Sequence, residues 1–200
     1  MNWTNGFDRN GRPVRVPGKV PTPEGSYITP TFRGATNWAA PSYSPTTGLF
    51  YVPAWENTAL IAIEGQAPRI PGVGGTGSVP QGQVSLTPNT KKEDEGFGVI
   101  RAIDPRTLDK KWEFRMNDIT WAGVLTTASD LVFGGGKEGY FFALDARTGA
   151  LLWKAALGGQ INSGPMSYAV DGKQYVTIAA GSALFAFGLR DVGGQRKLEP

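Results

Sequence analysis

Ala102-Ile103-Asp104-Pro105-Arg106-Thr107-Leu108-Asp109-Lys110-Lys111-Trp112 and Ala143-Leu144-Asp145-Ala146-Arg147-Thr148-Gly149-Ala150-Leu151-Leu152-Trp153 are two copies of one unit. Ala, Asp, Arg, Thr and Trp coincide 41 residues apart, from 102 to 143. A period of about 40–45 residues is the length of a propeller blade built from four strands. Within the unit, Tyr140, Phe142 and Leu144 alternate with their neighbours as a half-buried strand does. The Asp and Thr side chains can bond turn backbone, and Gly149 accepts the positive φ of a tight hairpin. Trp153 then falls on the next strand, where it can wedge between neighbouring sheets. In the first copy Leu108 stands where Gly149 stands in the second, which predicts a wider turn there.

Working outward, 123–127, 131–135, 139–144 and 151–156 read as the four strands of one blade. Beyond it lie 164–170, an Asp171-Gly172 hairpin turn, 174–179 and 183–189. This last blade stops at three strands, a shortfall that a closed propeller makes good with a strand from the other end of the chain. Upstream, 39–43, 49–54 and 60–63 begin another blade, whose final hairpin is 99–103 with 111–115. Between them runs an insertion over about residues 64–98, rich in Gly, Pro, Gln and Thr and without hydrophobic period. It reads as a surface excursion bordering an active-site mouth. The expected fold is all-β: residues 1–200 form part of one β-propeller domain of four-stranded antiparallel blades, about three of them. Three blades cannot close a ring.

Composition agrees and excludes much else. The chain has 200 residues, 40% of them hydrophobic and six of them Trp, which is enough for a sizeable core. The 28 Gly and 15 Pro disfavour helices. The net charge of +3 comes from basic residues scattered among acids, so no nucleic-acid face is expected. With no His and no Cys, this chain holds no Ser-His-Asp triad, HExxH zinc site, thiolate nucleophile or CxxCH haem attachment. No apolar run is long enough to span a membrane. The first residues do not resemble a signal peptide, and the abrupt strand-like opening reads as an internal start. The chain is therefore expected to be a piece of a longer one.

Several motifs have plain readings. Gly72-Val73-Gly74-Gly75-Thr76-Gly77 matches GxGxxG, but Pro71 precedes it and Val79-Pro80 follow, so neither the strand nor the helix of a dinucleotide site is in prospect. Asp104 and Asp145 are turn residues of the repeat, and Glu93-Asp94-Glu95 is a solvated loop face. Asn2-Trp3-Thr4 fits a glycosylation sequon, a match that short sequences often make by chance. Trp112 and Trp153 belong to the repeat and are structural. Trp38 and Trp121 break it. Each sits where an innermost strand begins, a place that either faces an axial ligand site or fills the core.

Gly34-Ala35-Thr36-Asn37-Trp38, Pro41-Ser42-Tyr43-Ser44-Pro45 and Gly48-Leu49-Phe50-Tyr51-Val52-Pro53-Ala54 resemble a signature stretch of the alcohol dehydrogenases that use pyrroloquinoline quinone (PQQ). Trp121-Ala122-Gly123-Val124-Leu125-Thr126-Thr127 is similar to a later channel-lining segment of that family. The two repeat units resemble its tryptophan-docking motif, and Asn162-Ser163-Gly164-Pro165-Met166-Ser167-Tyr168 continues the likeness. The resemblance implies the C-terminal part of an eight-bladed periplasmic quinoprotein of the methanol and ethanol dehydrogenase family. Its signal peptide would lie outside this chain. Such an enzyme oxidises alcohols or sugars by hydride transfer to PQQ, with Ca²⁺ or a lanthanide polarising the quinone. Cytochrome c or a quinone then takes the electrons.

The resemblance also assigns residues. Asn37 matches the Asn that hydrogen-bonds the quinone oxygens, Trp121 an aromatic at the cofactor's edge, and Trp38 helps to wall the pocket. The catalytic Asp and the metal ligands belong to blades outside this chain, so it is expected to be inactive alone. A Trp that methanol-oxidising members carry near the C-terminus is absent from Ala180-Gly181-Ser182-Ala183, which leaves the substrate open. The alternative is a non-catalytic propeller scaffold of the outer-membrane assembly type, which shares the blade repeat.

Overall fold

The computed structural model describes residues 1–20, 22, 25–30, 34–56, 58–63, 84–87 and 97–189, and among them the only regular elements are strands. β1 (Thr4–Phe7) and β2 (Pro13–Arg15) form a hairpin, followed by β3 (Ser26–Ile28). Then come β4 (Ser42–Ser44), β5 (Leu49–Glu56), β6 (Ala59–Ile63), β7 (Val84–Thr87), β8 (Phe97–Ile103) and β9 (Lys110–Met116). The order ends with β10 (Leu125–Thr126), β11 (Leu131–Gly135), β12 (Tyr140–Asp145), β13 (Leu151–Ala156), β14 (Met166–Val170), β15 (Lys173–Ala180) and β16 (Ala183–Gly188). Two four-stranded antiparallel sheets, β4-β5-β8-β9 and β10-β11-β12-β13, are the first and second blades. The three-stranded β14-β15-β16 is the third.

The first blade differs from expectation in one strand. Residues 59–63 do not join it but pair with β3 and β7 in a sheet of their own. Both edges of β5 are already taken, by β4 on one side and by β8 along its length from Phe50↔Ile103 to Glu56↔Phe97. No edge of β5 is left for residues 59–63. The insertion is also not wholly irregular, since β7 lies inside it. The GxGxxG stretch and Glu93–Glu95 fall outside the described residues.

β12 shows why the blades stack. Phe141, Phe142, Ala143 and Leu144 are all buried, because the strand lies between two other sheets. Phe142 and Leu144 meet Tyr51, Ile100, Ala102 and Trp112 of the first blade. Phe141, on the opposite face, meets Val176, Ile178 and Ala180 of the third. Each interface is thus one face of a sheet against one face of the next.

The repeat unit supplies the fastening. Asp145 Oδ1 accepts hydrogen bonds from Arg147 N, Thr148 N and Thr148 Oγ1 at 2.8–2.9 Å, and Gly149 closes the turn at φ 75°. Trp112 donates its Nε1 proton to Ala146 O at 3.0 Å, and the Tyr51 hydroxyl donates to the same oxygen at 2.9 Å. A Cβ on Gly149 would stand 2.6 Å from the Trp112 ring, so the turn needs glycine for contact as well as for φ.

One expectation about the repeat is corrected. The turn with Leu108 is no wider: Leu108 takes φ 64°, and its N–H reaches Asp104 O at 2.7 Å as Gly149 reaches Asp145 O at 2.8 Å. Leucine is tolerated because among the described residues no ring lies on it; the side chain is 77% exposed. Trp153 makes edge contacts with Phe141 and Phe187 yet stays 39% exposed. Among the described residues no turn follows β16 to cover it as 145–149 covers Trp112.

Candidate functional site

The innermost strands are shorter than their sequences suggest, because the residues leading into them bond across blades and not within them. Val124 N donates to Ala40 O at 2.9 Å, and the hydroxyls of Ser42 and Thr126 share a hydrogen bond of 2.7 Å. Ala40, Gly123 and Gly164 occupy the same position, two residues before β4, β10 and β14. A Cβ on Gly123 would meet Gly164 Cα at 3.1 Å and Ala40 N and O at 3.2 Å. Small residues are required here: three lead-in segments converge, and only bare backbone fits between them.

Two positions earlier on each segment stand Trp38, Trp121 and Asn162. The indoles of Trp38 and Trp121 have centroids 6.0 Å apart at 58°. Trp38 is 59% exposed, and Asn37 is exposed beside it. Their segment is held by Trp55 N donating to Ala35 O at 2.7 Å and by the Thr36 hydroxyl donating to Pro53 O at 2.9 Å. On the other side, buried Thr120 donates its hydroxyl to Gly135 O at 2.7 Å and accepts from Ala122 N at 3.1 Å. Those bonds fix the backbone on both sides of Trp121.

Lys137, in the turn between β11 and β12, places its ammonium 4.5 Å from the centroid of the Trp121 ring. That distance is within cation–π range. The insertion leaves and rejoins the first blade at this same end of the sheets: Glu56 pairs with Phe97, and Gly98 N donates to Asp118 O at 2.8 Å.

The structure therefore brings Trp38 and Trp121 together, with Asn37 adjoining. Asn162 could have been found from the sequence, because it follows Trp121 by the same 41 residues as the repeat. Lys137 carried no such signal, since only the folding of the β11–β12 hairpin lays it on Trp121. Two cavities, about 160 and 320 Å³, lie elsewhere and are not lined by either indole. Three sheets do not wrap round an axis, so the aromatic pair stands on an open rim. Two indoles, an ammonium and amides are suited to holding a flat, electron-poor or anionic ring. None of them is a general base at neutral pH, so the cluster binds more readily than it reacts.

The sequence model of the PQQ family (glucose/ethanol/alcohol dehydrogenase, beta-propeller domain) matches residues 97–176. The quinoprotein alcohol dehydrogenase PedH of Pseudomonas putida is 35% identical over 188 residues, covering 90% of this chain. Over nine-tenths of its length the chain is similar to quinoprotein alcohol dehydrogenases. It spans about 30% of the length of PedH. The crystal structure of quinohemoprotein alcohol dehydrogenase from Comamonas testosteroni superposes with a TM-score of 0.74 at 29% identity, over 92% of this chain and 28% of that one. A europium-containing methanol dehydrogenase superposes at 0.73 with 30% identity, over 89% and 31%. The matched span 97–176 takes in the whole second blade and the Trp112 fastening.

Proposed function

We propose that this chain is the C-terminal part of a periplasmic PQQ-dependent dehydrogenase that oxidises alcohols, and that Asn37, Trp38 and Trp121 wall its cofactor site. The observation that carries the reading is the meeting of Trp38 and Trp121 at 6.0 Å from the lead-in segments of neighbouring blades. The residues fit the group: PQQ is a flat conjugated tricarboxylate, and the rim offers the exposed Trp38 indole and half-buried Trp121 with a cation beside them. Trp38 and Trp121 would bear on its ring, and the Asn37 amide would donate to its oxygens. When bound, PQQ supplies the quinone that accepts a hydride from the alcohol. Asn37 contributes fixed N–H dipoles where negative charge gathers, and the indoles exclude water from that side. Among the described residues no three acidic side chains come together, so in this reading Ca²⁺ or a lanthanide takes its ligands, and the reaction its base, from other blades.

The third blade supports the longer propeller. Met166, Tyr168, Val170 and Leu184 are exposed on its face turned away from the second blade. In the first two blades the corresponding face is buried against the next sheet. Cytochrome c or a quinone would accept the electrons. A non-catalytic scaffold is not favoured, since the relatives named above are dehydrogenases.

The test is made on the complete protein with PQQ and Ca²⁺ or a lanthanide, by dye-linked oxidation of primary alcohols. Asn37→Ala is expected to lower kcat by about tenfold or more, the scale for loss of one charge-stabilising donor. Unchanged turnover together with unchanged PQQ affinity would remove Asn37 from the site.

A further inference from the structure

We infer that Lys137 is the anion-recognising residue of the axial site and takes a carboxylate of the planar ligand lying against Trp38 and Trp121. The inference rests on the cofactor reading above and extends it to a residue outside the repeat and outside the family signature stretches. Lys137 reaches the indole pair from a different loop, with its ammonium 4.5 Å from the Trp121 ring.

The turn that carries it is fixed on every side. Gly139 N donates to Gly136 O at 3.1 Å, Ile161 N donates to the same oxygen at 3.1 Å, and Leu157 N reaches Gly139 O at 2.8 Å. The neighbouring acid is drawn off: Glu138 Oε1 accepts from Asn117 N at 2.6 Å and from Asp118 N at 3.1 Å. Among the described residues no carboxylate lies within ion-pair reach of Lys137. By contrast Arg101, Lys110, Arg115 and Arg147 are each matched to a Glu or Asp. A half-buried ammonium on an aromatic face, with its own neighbour's charge engaged elsewhere, keeps its attraction for an incoming anion. The Ile161–Gly136 bond also brings the backbone leading to exposed Asn162 next to this turn.

Binding to the complete protein, prepared without cofactor, is followed by quenching of Trp emission. The probes are PQQ and phenanthrenequinone, a planar o-quinone with no carboxylates. Lys137→Met is expected to weaken PQQ about tenfold or more and to flatten its salt dependence, as loss of a charge-assisted hydrogen bond does. Lys137→Arg should retain most of the affinity, and phenanthrenequinone should bind all three proteins alike. If Lys137→Met weakens both quinones equally, Lys137 only props Trp121 and the inference fails. It fails too if Lys137→Met binds PQQ as the wild type does. A wild-type protein that binds no PQQ would overturn the cofactor reading itself, and Lys137's role with it.

Discussion

At the scale of single residues, Leu108 and Gly149 answer the same geometric demand with different side chains. Both hold a left-handed φ, 64° and 75°, and close the same hydrogen-bonded turn. For leucine that conformation is strained by clash of Cβ with the following carbonyl, at a cost of about 1–2 kcal/mol. Its side chain is exposed, so nothing is lost in packing when it is removed. Leu108→Gly is therefore expected to stabilise the chain by about 0.5–1 kcal/mol, after the added freedom of the unfolded glycine is set against the relief. Urea unfolding would show it as a raised midpoint with an unchanged slope. The sequence shows the substitution plainly but not its outcome. Whether leucine widens the turn or is forced into the glycine conformation depends on hydrogen bonds that continue across β8 and β9.

At the scale of elements, the outer strand of one blade is tied to the turn of the next. Trp112 on β9 reaches Ala146 O, Tyr51 on β5 reaches the same oxygen, and Gly149 leaves room for the indole. Gly149→Ala would add a Cβ 2.6 Å from the ring and strain φ together. A destabilisation of about 2–4 kcal/mol is expected, combining left-handed strain with overpacking. Acrylamide should then quench Trp112 more readily, and a variant with unchanged midpoint and quenching would show that the turn does not fasten the blades. Which residues form this fastening was legible in the repeat, because both copies keep the Asp-x-x-Thr turn and the Trp. Which partner receives each Trp was not: Trp112 finds a turn, while among the described residues Trp153 meets the rings of Phe141 and Phe187.

At the scale of the molecule, charge organises the rim of the first blade. Glu113 lies between Lys110, whose ammonium donates to it at 2.7 Å, and Arg115, and Arg101 also approaches it. The Lys110 hydrogen bond, with Arg115 and against the cost of burial, pulls its carboxyl from 4.5 to about 2. A carboxylate held lower in the folded state stabilises fully above its unfolded value, and that contribution is lost as pH falls toward 2. Between pH 6 and pH 3 the chain should thus lose stability, of order 1–2 kcal/mol from this group once solvent screening is allowed for. Glu113→Gln should be less stable at pH 6 and lose less on acidification. Equal pH dependence of the two proteins in denaturant titrations would show that Glu113 contributes none of it.

The sequence by itself determined that the chain is built of blades, because a 41-residue period and alternating apolar residues follow from local chemistry. It also marked Trp38 and Trp121 as aromatics that break the repeat where innermost strands begin, and the family resemblance singled out Asn37 beside them. Only the tertiary structure decided where the strand at 59–63 pairs, that Trp38 and Trp121 meet, and that Lys137 joins them. Each of these depends on which edges and faces are already occupied when distant segments come together. Such occupancy is a property of the packed sheets and leaves no periodic trace along the chain.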